Sequence, residues 1–237
     1  MKFSAARSEL DAMVVEIELT LVSIIQGVAL FFLIDNARVV LTTHDIAFWL
    51  YIPAGLLVIF VFWSRSILHT LTVVRWPLEF GHNFLYLTCA LTEALLFTKL
   101  SEPRMWFTLG VIYSAVGWLL FLYDFRLIHA RQNDSGGEAS NRLYAKVRRD
   151  QRWNTVLFLP AVFFLNLVCA FCIRSWPDFF IARNGHVWLI AFQLLGFAAY
   201  LFYSVRFYVD LAPFIAQARH EWRGTLGDRG PSQNSAT

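Results

Sequence analysis

Residues 142–175 read RLYAKVRRDQRWNTVLFLPAVFFLNLVCAFCIRS, and the change of character at Asn154 decides the fold. Before it, Arg142, Lys146, Arg148, Arg149 and Arg152 crowd one short stretch. After it, no charged residue occurs until Arg174. An uncharged apolar run of about 20 residues is the length that crosses a bilayer as a helix. Working outward, five more runs have this character, so the expected spans are 12–34, 46–66, 80–100, 105–127, 154–175 and 186–209. The fold class this predicts is all-α, a polytopic membrane helix bundle of six transmembrane helices.

Composition agrees. Hydrophobic residues make up 57% of the chain, charged residues only 16%, and mean hydropathy is +0.51. A soluble domain carries about a quarter of its residues as charges, so much of this surface faces lipid. The net charge of +3 is too small to point to nucleic acid as a partner. The N-terminal stretch does not read as a cleaved signal peptide, because Glu9, Asp11, Glu16 and Glu18 interrupt it.

Loop charges set the expected orientation. With the N-terminus inside, fifteen of the twenty Lys and Arg residues fall on the inner side. That bias predicts both termini in the cytoplasm. Trp49, Trp106, Trp176 and Trp188 then fall at outer ends, and Trp63, Trp76, Trp153 and Trp222 at inner ends, where amphipathic rings prefer to sit. The expected location is the cell membrane, the inner one if the host is a bacterium.

The domain reading is a six-span unit over 1–209, with a cytoplasmic basic loop at about 128–153. An amphipathic interfacial helix is expected at 210–223, from the spacing of Leu211, Phe214, Ile215, Ala218 and Trp222. Residues 224–237 read as a disordered tail. In the loop, Asn133 to Glu138 reads as a linker. Arg142, Lys146, Arg148 and Arg149 are expected against anionic lipid headgroups, or simply as a topology signal.

Polar residues inside the spans carry the functional question, because a charge near mid-bilayer costs about 2.5–3.5 kcal/mol on insertion scales. Glu16, Thr20, Ser23, Gln26 and Gly27 share a face of the first span. His82, Tyr86 and Glu93 share a face of the third, the fifth carries Asn166, and the sixth carries Gln193. Counted at about 1.5 Å per residue, Gln26, Glu93, Asn166 and Gln193 fall at one height, close to Pro53 and Gly55. They predict a buried polar layer, supported by Ser23, that could serve as a cation path. Interhelical hydrogen bonding alone would also account for Asn166 and Gln193. Glu93 is harder to explain that way, since no Lys or Arg shares its height. Glu16 and Glu18 lie near enough to the inner surface to reach water, Arg65 or Arg75.

No catalytic constellation, metal site or cofactor site is evident. G-x-S-x-G and H-E-x-x-H are absent. Cys169 and Cys172 have C-x-x-C spacing inside an apolar run, without a second ligand pair, and read as small helix residues. Histidine pairs facing each other could hold haem, but His69, His82, His129, His44 and His186 lie towards span ends.

The first hundred residues or so resemble the prokaryotic relatives of the lysosomal potassium channels. Ile25-Gln26-Gly27-Val28 aligns with that family's Ser-Asp-Gly-Val stretch, with Gln26 in place of the Asp and Ile24-Ile25 in place of a Phe-Ser pair. Trp63 with His69 looks like the family's Trp-and-His-bearing segment, and Asn83-Phe-Leu-Tyr-Leu87 like the start of its third span. The resemblance implies a homo-oligomer conducting potassium, with Ile24 at a pore constriction. The leading expectation is thus a cation channel or transporter for K⁺ or H⁺. The alternatives are a non-transporting scaffold or assembly factor with a membrane-protein partner, and a haem-binding oxidoreductase.

Overall fold

The computed structural model describes residues 2–72, 80–134 and 137–227, and every regular element among them is helical. Seven α-helices follow in order: α1 Lys2–Thr43, α2 Tyr51–Thr72, α3 Phe80–Phe97, α4 Pro103–Asp134, α5 Glu138–Trp153, α6 Leu159–Ser175 and α7 His186–Gly227. Five helical stretches are long and apolar enough to cross a membrane: Leu19–Thr43, Ile46–Thr70, Pro103–His129, Glu138–Ser175 and His186–Ala218. α3 carries His82, Asn83 and Glu93 in 18 residues and is not among the five.

α1 outruns its expected end. Asp35, Asn36 and Arg38 were the expected loop, yet the helix continues to Thr43. Its buried stripe explains why: Val22, Gln26, Ala29, Leu33, Ala37 and Val40 recur every three or four residues and keep facing the bundle. Asn36 meanwhile returns its side-chain amide to the Phe32 carbonyl, and Arg38 lies 3.8 Å from Asp35.

Pro53 sits in the first turn of α2. Its missing N–H there is one that no helical carbonyl would have received, so it frees no carbonyl and makes no bend. Pro160 is different. The helix ahead of it widens to a π turn over Asn154–Phe158, which relieves the ring clash and the lost bond.

The interior has three packed regions. At one end, Tyr51, Phe97, Trp106, Phe107 and Ile190 pack together. In the middle of α1 to α4, Val22, Phe62, Tyr86, Cys89 and Leu120 do so. At the other end, which carries the basic residues of α5, Leu143, Tyr144 and Val147 meet Leu68, Ile128, Leu211, Ile215 and Ala218.

That last cluster revises two expectations. The helix expected at 210–223 is the distal part of α7, which runs unbroken, and its apolar face is buried on α5 instead of lying on lipid. α5 is likewise half in the bundle, with Arg142, Lys146, Arg148 and Arg149 on its exposed side. The Glu221 carboxylate fastens the start of α5 by accepting the N–H groups of Ala139 and Ser140 at 3.1 and 3.2 Å, a favourable place for a negative charge. Residues 228–237, most of the expected tail, lie outside the described residues.

α4 and α6 approach closely at Gly110. A Cβ there would stand 2.9 Å from Asn166 Cγ and nearer still to its Oδ1. Gly110→Ala is expected to cost about 1–3 kcal/mol by overpacking and to lower the unfolding temperature in detergent. An unchanged unfolding temperature would show that α4 and α6 are not in this register.

Candidate functional site

The expected polar layer separates into two parts. Trp106 Nε1 donates to Gln193 Oε1 at 2.9 Å, Gln193 Nε2 donates to Asn166 Oδ1 at 2.9 Å, and Asn166 Nδ2 donates to the Val162 carbonyl at 2.8 Å. Every polar atom in this chain has a partner, so it ties α4, α6 and α7 together and leaves nothing for a guest.

The other part is unsatisfied. Glu93 is 0% exposed, and among the described residues neither carboxyl oxygen makes a hydrogen bond of good geometry. Gln26 is buried beside it, its amide within interaction range of the carboxyl but likewise without a well-formed bond. Gln26 in turn adjoins the Tyr86 hydroxyl, which also neighbours Ser66, again in poor hydrogen-bond geometry. Buried polar groups in native proteins are nearly always paired with protein, water or an ion. Three adjoining buried polar residues that meet one another in poor geometry leave hydrogen-bonding capacity for a further group.

Ser23 and Ile24 do not join them. The Ser23 hydroxyl bonds back to the Leu19 carbonyl at 2.8 Å, and Ile24 is 60% exposed. The stripe of α1 that turns inward follows Val22, Gln26 and Ala29, which carries the Ser23–Gly27 side outward. Glu16 is exposed as well, and Arg65 finds its partner elsewhere. Cys169 is buried, Cys172 half-buried, and both are free thiols.

Tyr86 leads towards the basic end. It lines a small pocket with Val22, Arg65, Ser66, His69, Thr70 and His82, among others. Behind this pocket lies a polar network that joins five helical segments. Asp150 of α5 holds Arg65 of α2 at 2.5 Å and accepts the Tyr203 hydroxyl of α7 at 2.8 Å. Asn154 donates to Asp150 Oδ2 at 3.1 Å and accepts the Tyr200 hydroxyl at 2.6 Å. One residue on, Gln151 donates to the Phe121 carbonyl at 2.8 Å, which leaves its oxygen to accept from His69 Nε2 at 3.1 Å. Asp124 of α4 then receives His82 Nδ1 of α3 at 2.7 Å and lies 2.8 Å from His69 Nδ1.

No family model, curated protein or solved structure matches this chain. The reading of the site rests on its residues.

The sequence offers Arg65 only as a partner for Glu16 or Glu18, does not single out Asp124, and places Asp150 and Gln151 in a basic loop. The signal was present in the spacing of α5. Leu143, Tyr144 and Val147 are followed at helical intervals by Asp150, Gln151 and Asn154, so the apolar face becomes a polar face without changing side.

Breaking a buried ion pair from one side costs about 3–5 kcal/mol, whereas removing a single hydroxyl bond to a charged group costs about 1.5–3 kcal/mol. Asp150→Ala is therefore expected to destabilise the protein clearly more than Tyr203→Phe, and Arg65→Met added to Asp150→Ala to restore part of the loss. Thermal unfolding of the purified variants checks the order. Equal, small shifts for all three would mean that Arg65 and Asp150 are not joined.

Proposed function

We propose that this is a six-span membrane protein that binds and passes protons, with Glu93 as the buried proton-carrying group. One observation carries the reading: Glu93, Gln26 and Tyr86 form a contiguous buried polar string whose groups meet one another without well-formed hydrogen bonds, leading to the pocket at the basic end. A lone carboxylate in a dry membrane interior is expensive, so this carboxyl takes up a cation. A potassium ion needs a shell of oxygens to replace its water, and the string offers few. A proton needs only the carboxyl itself, with water between Gln26, Tyr86 and Ser66 to carry it.

α3 acts as the sixth span in this reading. Its outward face of Phe84, Leu87, Leu91 and Leu95 is exposed and apolar, as a lipid-facing side should be. At about 1.5 Å per residue its length nearly matches a hydrocarbon core of about 30 Å. The basic end faces the cytoplasm, following the bias of loop charges.

The haem reading is less favoured. His69 and His82 do converge, but on the Asp124 carboxylate, with Phe121 and Tyr86 against their rings at 5.4 and 6.3 Å.

In proteoliposomes carrying an internal pH dye, wild-type protein should pass protons down an imposed gradient. Glu93→Gln should abolish that flux while leaving insertion and unfolding temperature intact. Equal proton flux in both would overturn the assignment of Glu93. Potassium flux that survives Glu93→Gln and changes in Ile24→Ala would instead favour an oligomeric pore along the exposed face of α1. Absence of any flux would favour the scaffold reading.

A further inference from the structure

We infer that the pocket at the basic end is a binding site for a small halide-sized anion, chloride by chemical class. Arg65 is only 3% exposed. Its Nη2 is committed to Asp150, and its guanidinium carbon lies 5.5 Å from the centre of the Phe121 ring. Among the described residues, Nε and Nη1 have no hydrogen-bond partner. An unmatched buried guanidinium donor loses its hydration without compensation, so a group in the pocket must accept from it.

The rest of the lining points the same way. The described polar side chains that line the pocket are Arg65, Ser66, His69, Thr70, His82 and Tyr86, and no carboxylate is among these described residues. Asp124 and Asp150 stand behind the lining, occupied by His69, His82, Tyr203 and Arg65. The Tyr86 hydroxyl also borders the pocket, beside Ser66 and Gln26 and without a well-formed hydrogen bond. Ser66, His69 and His82 spend hydrogen bonds on Phe62, Gln151 and Asp124, so the open donors of the pocket are chiefly those of Arg65; with walls of Val22, Phe62, Leu120 and Phe121 they suit a negative guest that needs little water. The space admits about one water-sized sphere. A monatomic halide, somewhat wider than water, is the anion class nearest that size; sulfate, phosphate and organic carboxylates are too large for it.

The inference stands on Arg65 and is independent of the proton assigned to Glu93. Its test is the thermal unfolding of purified protein in detergent, titrated with sodium chloride, bromide, gluconate or sulfate at constant ionic strength. Chloride and bromide should raise the unfolding temperature saturably, by about 2–4 °C, and gluconate and sulfate should not. Ser66→Leu, which fills the pocket and keeps Arg65, should lose the shift. Tyr86→Phe should weaken the halide response about tenfold. Glu93→Gln should keep it whole, which separates this site from the proton reading. If Ser66→Leu does not fold, Tyr86→Phe decides. Identical unfolding in chloride and gluconate, or a chloride shift unaltered in Tyr86→Phe, would overturn the site.

Discussion

The ion pair between Arg65 and Asp150 fixes the basic end of the bundle, because neither charge can be left alone there. Both side chains are almost fully withdrawn from solvent. Asp150 lies on α5, which sequence places in a basic loop, and Arg65 lies at the end of a membrane-length helix. Satisfying the pair draws α5 onto α2, α4 and α7 and extends the packed interior past the apolar lengths of the helices. Tyr203, Asn154 and Tyr200 complete the coordination. A pair of this kind adds little net stability compared with an apolar substitute, but it penalises any other arrangement of the helices.

Against that rigid end, the inward string of Tyr86, Gln26 and Glu93 stands out. The two polar groupings within the bundle use similar residue types with opposite results. Trp106, Gln193 and Asn166 close on one another, and their chemistry is spent in holding helices together. Glu93 and Gln26 face each other without a well-formed hydrogen bond. Residue type does not distinguish a structural polar residue from a working one in a membrane helix. Satisfaction does, and satisfaction is a property of the neighbours.

This also explains what the sequence could and could not show. The helical class and the apolar lengths follow from composition and run length, because lipid leaves the backbone few other choices. Glu93 and Gln26 were legible as expensive residues at one height. Helical arithmetic places Ser23 with them, and the family resemblance places Ile24 at a constriction, but the inward stripe of α1 is offset, and only packing against α2 and α3 fixes which side turns in. Asp124 and Asp150 were hidden for another reason. A lone acid near a span end, or within a run of Arg, looks like a solvated charge until the partner helix is known.

The most direct test of the account is infrared spectroscopy of the purified protein at neutral pH, as a difference between wild type and Glu93→Gln, in H₂O and in D₂O. The account predicts a protonated-carboxyl stretch that disappears in the variant and shifts on exchange into D₂O, as a proton in contact with water through Gln26 and Tyr86 requires. A difference spectrum showing only an ionised carboxylate, or a protonated band that never exchanges, would contradict it.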